Sequence, residues 1–157
     1  MLYAIITAVV WTLDRLTKAL VLRQLPLWSS RPLLGRILSL THVQNTGAAF
    51  GLFRNQVFLL AAVTIALLVS LFFFRKHIEA LGLWGRVGIA LVLGGALGNL
   101  YDRLFFGYVV DFLEFPYFPV FNLADSAIVL GVGLLCLSIW TMDRGERQSA
   151  SSSAELD

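Results

Sequence analysis

Two aspartates carry the chemistry that this sequence could perform. Asp111 closes the apolar run Tyr108-Val109-Val110, and Asp125 stands four residues into a new hydrophobic segment of about membrane-spanning length. A carboxylate in or beside a bilayer is expensive, so its default reading is a functional site. Brought together, one ionised and one protonated carboxyl can activate water against a peptide bond. Both lie in the stretch from Gly94 to Asp125, which also holds Asp102, Arg103 and Glu114 in an otherwise oily chain.

The elements that must position them follow from composition. Of 157 residues, 58% are hydrophobic and 14% charged, against about 25% charged in a soluble domain. A soluble fold of this length cannot bury that much apolar surface, so the chain reads as a one-domain membrane protein. A net charge of +2 without a basic patch gives no sign of nucleic acid. Cys136 is the only cysteine; it has no intrachain partner and reads as a small core hydrophobe.

Four apolar segments follow in order. Residues 2–22 contain Asp14, Arg15 and Lys18 in their second half and are followed by no cleavage site, which predicts a retained transmembrane helix. Asp14 and Lys18 are four apart, acid first, on one helical face. Either they form a salt bridge at the interface with Lys18 reaching toward water, or they orient a loop or a substrate head group. Residues 23–56 leave the membrane, with a short strand predicted over Ile37–Val43 and a turn at Asn45-Thr46-Gly47, a β-element on the membrane face. Val57–Phe74 is an uncharged span closed by Arg75, Lys76 and His77. The third span covers about Val87–Phe105, with Gly94 and Gly98 as a small-xxx-small pair and Asn99, Asp102 and Arg103 on one face. Residues 105–121 hold eight aromatics plus Pro116 and Pro119, which predicts an interfacial loop or half-helix around Asp111. The fourth span runs from about Asn122 to Met142, with Asn122, Asp125 and Ser126 on one face. Residues 143–157 read as a disordered tail.

Four spans place both termini on one side. Arg75, Lys76, Arg86, Arg144 and Arg147 stand against Arg23, Arg31, Arg36 and Arg54, and the shorter loop of the first set marks its side as cytoplasmic. Asp14, Asn45, Asn99, Asp102, Arg103, Asp111, Asn122 and Asp125 then collect toward the outer face. Asp102 beside Arg103 is best read as a structural salt bridge; Asp111 and Asp125 exceed the available bases. A proton-coupled transporter or channel subunit is the alternative from another class, though no internal repeat supports it. A Ser–Lys peptidase fits less well, since Lys76 is cytoplasmic here and Lys18 has Asp14. With one cysteine and no HExxH, zinc has no ligand set.

Five blocks carry a resemblance: Asp14-x-x-x-Lys18, Asn45-Thr46-Gly47-Ala48-Ala49-Phe50, Gly94-Gly95-Ala96-Leu97-Gly98-Asn99-x-x-Asp102-Arg103, Val109-Val110-Asp111-Phe112 and Phe121-Asn122-x-Ala124-Asp125-Ser126. In type and order they resemble the motif blocks of bacterial lipoprotein signal peptidase (signal peptidase II). The resemblance implies an all-α membrane protein: a multi-pass domain of four transmembrane helices over residues 1–142, with a small β-cradle on its outer face within residues 23–56. The tail, 143–157, and both termini would be cytoplasmic, in the bacterial inner membrane. It implies an aspartic endopeptidase that cleaves diacylglyceryl-prolipoproteins just before the lipidated cysteine, as a monomer among membrane lipids, with no cofactor or metal. Asp111 and Asp125 would be the catalytic dyad. Asn45, Gly47, Asn99, Arg103, Asn122, Asp14 and Lys18 would bind substrate or support the site.

Overall fold

A computed structural model of the chain describes residues 1–48, 52–74, 78 and 81–154, with side chains described to residue 142. Ala49, Phe50, Arg75, Lys76 and His77 of the motifs and span ends above lie outside the described residues, as does the end of the tail from residue 155.

Among the described residues there are four long helices and one small sheet: α1 (Leu2–Gln24), β1 (Ser30–Leu34), β2 (Leu38–Asn45), α2 (Val57–Phe73), α3 (Leu83–Phe105), β3 (Val109–Glu114) and α4 (Leu123–Ala154). α3 and the Leu123–Met142 part of α4 are long and apolar enough to cross a membrane; α2 is apolar but has 17 residues. α3 is the central helix. Its glycines let neighbours approach closely: a Cβ on Gly94 would meet Val10 of α1 at 2.7 Å, and one on Gly88 would meet the Gly131 carbonyl of α4 at 2.6 Å. Gly98 faces Asp14 and Gly95 faces the Ala124 carbonyl, both closer still. The Gly94/Gly98 pair therefore serves α1, while Gly88 and Gly95 serve α4.

The sheet is antiparallel, in the order β1-β2-β3. β1 and β2 form a hairpin whose turn uses Gly35 at φ 54°. β2 pairs with β3 through Val43↔Asp111, Gln44↔Val110 and Asn45↔Val109. Two expectations change here. Asp111 stands in a strand, not in an interfacial loop or half-helix: Gly107, at φ 75°, ends α3 and turns the chain straight into β3, ahead of both prolines. The predicted strand at Ile37–Val43 is observed as Leu38–Asn45, with partners on both sides. Val21 of α1 and Leu25 just after it pack against Val110 and Phe112, which seats the sheet on the end of α1. His42 is buried there, its Nδ1 2.9 Å from the Leu25 carbonyl oxygen. Helix α4 continues to Ala154, beyond Asp143, where the sequence suggests a disordered tail.

Candidate active site

β3 delivers Asp111 and the first turn of α4 delivers Asp125. Asp111 is 2% exposed. Its Oδ2 accepts from Asn45 Nδ2 at 2.8 Å, and its Oδ1 accepts from Asn122 Nδ2 at 2.7 Å. Asn45 and Asp111 are diagonal neighbours on one face of the β2–β3 ladder, so the register itself aims the amide at the acid. Asn45 Oδ1 accepts the Gly47 N–H at 2.9 Å, which fixes the amide's orientation.

Asn122 is the pivot of the site. Its Oδ1 accepts the Asp125 N–H at 2.9 Å, and its own N–H donates to Asp125 Oδ2 at 3.2 Å. This is a reciprocal capping box, in which cap and third residue satisfy each other's backbone donors. One asparagine therefore touches both acids, Asp111 through its side chain and Asp125 through its backbone. Asp125 Oδ1 accepts from Asn99 Nδ2 at 2.7 Å. Asn99 Oδ1 in turn accepts from Lys18 Nζ at 2.9 Å and from Asn122 Nδ2 at 3.2 Å. Both acids line a cavity of ≈ 560 Å³ with Asn45, Asn99 and Arg103, closed by apolar walls from Val109, Phe118–Phe121 and Ile128–Leu130. A larger groove of ≈ 950 Å³ between α1, α2 and α3 is apolar and holds none of these acids.

The electrostatics fit a shared proton. Burial, and then the nearby charge of Asp125, push the Asp111 carboxyl up to about 7; the amide donors of Asn45 and Asn122 pull the other way. Asp125 sits in the first turn of α4, where a helix N-terminus favours negative charge. Arg103 faces both acids, and its guanidinium donates to the Gly47 carbonyl at 3.4 Å.

Two of the predicted supporting residues lie deeper. Lys18 is fully buried and does not reach toward water; its Nζ is 2.9 Å from Asp14 Oδ2 and 2.9 Å from Asp102 Oδ2. Asp102 therefore pairs with Lys18 and with Arg15, not with its neighbour Arg103. Arg15 was not singled out in the sequence; it also lies 4.4 Å over the Tyr101 ring. The signal for it was spacing, since Arg15 and Lys18 are three apart and flank one helical face. Among the described residues, no group of three or more His, Cys, Asp or Glu is placed to hold a metal ion.

Comparison with known proteins decides the family. The sequence pattern of the family described as Signal peptidase (SPase) II matches residues 6–141. The chain belongs to the signal peptidase II family. Lipoprotein signal peptidase of Halothermothrix orenii is 39% identical over 140 residues, covering 89% of this chain and 96% of the relative. The protein of the same name from Desulfitobacterium hafniense is 41% identical over 150 residues, covering 95% and 99%. Two solved structures, each described as a bacterial membrane enzyme, superpose with TM-scores of 0.83 and 0.79 at 31% and 32% identity. They cover 88% and 87% of this chain and 87% and 91% of their own. As a signal peptidase II family member, the chain is a peptidase, and the transporter alternative finds no support.

Proposed function

We propose that this chain is an aspartic endopeptidase that removes the signal peptide from diacylglyceryl-modified prolipoproteins, cutting just before the lipidated cysteine. The observation that carries the reading is the joint hold of Asn122 on Asp111 and Asp125 at the floor of one cavity. The names of its relatives supply the substrate class.

In this reading Asp111 holds the proton at rest and Asp125 is ionised. Asp125 takes a proton from water as the water oxygen attacks the scissile carbonyl carbon, and Asp111 gives its proton to the carbonyl oxygen. The tetrahedral gem-diol then collapses. One hydroxyl returns its proton to Asp111, the C–N bond breaks, and the leaving amine of the cysteine takes the proton from Asp125. Both acids end as they began. Arg103 and the Gly47 carbonyl frame the entrance to the dyad, and the apolar walls suit the acyl chains and the signal-peptide side chains.

Four membrane spans accord with the exposed surface. Leu2, Ile5, Val9, Leu13, Leu16 and Leu20 of α1 are each about half exposed, while its Asp14 and Lys18 are buried inward. We take it to act as a monomer. We place it near the outer face of the bacterial inner membrane, with both termini cytoplasmic.

The test uses purified protein and a diacylglyceryl peptide. Asp111→Asn and Asp125→Asn each lower turnover by roughly 10²–10⁴-fold, and the double variant is hardly worse than either alone, because the pair acts as a unit. Substantial cleavage by either single variant, or defects that multiply, overturns the dyad.

A further inference from the structure

Behind the two acids lies a wholly buried ionic cluster. Asp14, Lys18 and Asp102 are each 0% exposed. Lys18 Nζ is 2.9 Å from three oxygens, Asp14 Oδ2, Asp102 Oδ2 and Asn99 Oδ1. Arg15 pairs with the other oxygen of Asp102. With Arg15 at the partly exposed edge, two positive and two negative charges cancel. Such a cluster is weak evidence for stability, since desolvating its members can cost more than their attraction returns. Its remaining contacts give it another role. Asp102 Oδ2 accepts the Val110 N–H at 3.3 Å, and Asp14 Oδ1 accepts the Ala124 N–H at 3.1 Å. Val110 immediately precedes Asp111, and Ala124 immediately precedes Asp125.

We propose that Asp14 and Asp102, bridged by Lys18, are positioning residues that tether the peptide before each catalytic aspartate and thereby set the separation and mutual orientation of the two carboxyls. The proposal rests on the dyad reading above. Each acid sits on a different element, β3 and α4, and each element is hydrogen-bonded to this cluster just before its acid. Lys18 also reaches Asp125 by a second route: it holds Asn99 Oδ1, so Asn99 Nδ2 points at Asp125. Gly98 belongs to the same device, because a Cβ there would collide with Asp14 Oδ2. The Lys18 ammonium, 2.9 Å from that oxygen, holds it in place.

Asp14 is the member to change. Asp14→Asn keeps an oxygen for the Ala124 N–H and removes one negative charge; Asp14→Ala removes the tether as well. The charged groups facing the dyad are Lys18 from α1 and Arg103 from α3, while β2 offers the neutral amide of Asn45; Asp14 and Asp102 face Lys18, and Arg15 faces Asp102. Losing the Asp14 charge leaves Lys18 less neutralised, which favours proton loss from the pair. The experiment measures kcat, KM and the pH dependence of kcat/KM on a diacylglyceryl peptide, per molecule of folded enzyme, beside the Asp111→Asn control. The expected result is a loss under tenfold for Asp14→Asn with the alkaline limb moved to lower pH. For Asp14→Ala it is a loss of more than a hundredfold in kcat with KM nearly unchanged. If Asp14→Ala does not fold, the limb in Asp14→Asn decides. The proposal is overturned if both variants lose only thermal stability while kcat and the limb stay at parent values. Because the control depends on Asp111 alone, an active Asp111→Asn would instead overturn the dyad.

Discussion

At the scale of the residue, the role proposed for Asp111 sets activity against stability. Its folded carboxyl titrates near 7 and its unfolded one near 3.8. Between those values the folded state keeps a proton that the unfolded chain has lost, so stability falls as pH rises through this window. Asp111→Asn lacks that dependence. From pH 5 to pH 8 the variant should therefore gain on the parent by about 3 kcal/mol, whatever its offset, and paired thermal melts at the two pH values measure it; parallel melts would refute the shift. The same proton predicts that kcat/KM declines above about pH 7 as Asp111 ionises. Arg103→Lys should fold yet lose on the order of 10²-fold in turnover, the scale of a misplaced substrate, because an ammonium lacks the planar fork that reaches the Gly47 carbonyl while its charge faces the acids. Parent-like kcat in that variant would reduce Arg103 to a point charge. Asp111 and Asp125 were legible because acids in oily sequence have few bland explanations. The partners of Asp102 were not, since they come from another helix, 87 and 84 positions away. The capping box Asn122-x-x-Asp125 was legible in principle, as a cap three residues before an acid at the head of an apolar run.

Among elements, the apolar spans and β2 are legible to within a few residues, except that α4 continues past Met142 to Ala154, while β1 and β3 are not legible, for different physical reasons. The helices have long apolar stretches with charges at their ends. β1 contains Pro32 and exposes every residue, so neither alternation nor apolarity marks it. β3 is buried along Val109–Phe112, so it too lacks alternation, and the aromatic loop that follows drowned its signal. The glycines of α3 were visible, but which neighbour each one serves depends on packing. That packing makes a prediction. A Cβ on Gly95 would press on the Ala124 carbonyl, which is backbone and belongs to the turn that carries Asp125. Gly95→Ala should cost about 1–3 kcal/mol by overpacking and lower kcat together with the melting midpoint. Gly133, whose added Cβ meets nothing within 4 Å, is the matched control. Equal behaviour of Gly95→Ala and Gly133→Ala in melts and turnover would mean that α3 and α4 do not approach as closely as described.

For the whole molecule, the question is how these elements sit in a bilayer. α3 and the Leu123–Met142 part of α4 are long and apolar enough to cross it, and α3 ends at Phe105 where α4 begins at Leu123, joined by β3 and its aromatic loop. The dyad therefore lies at the same end of both helices. α1 joins that end through Lys18 and Arg15, which contact the Asn99–Asp102 turn of α3. The β1–β2 hairpin follows directly from α1 and pairs with β3, so it belongs to that end as well. For α2 to leave from the sheet and return the chain to Leu83 at the far end of α3, its 17 residues must cover the apolar thickness in one pass, roughly 26 Å at 1.5 Å per residue. A helix of that length spans a bilayer of ~30 Å only with its flanking residues included or with local thinning. The geometry then predicts opposite locations for two reporters: one inserted at Ser29, beside the sheet, reports the outer side, and one fused after Asp157 reports the cytoplasm. If both report the same side, α2 does not cross, the chain enters α3 from the face that holds the sheet, and Asn99 could not meet Asp125 beneath β3.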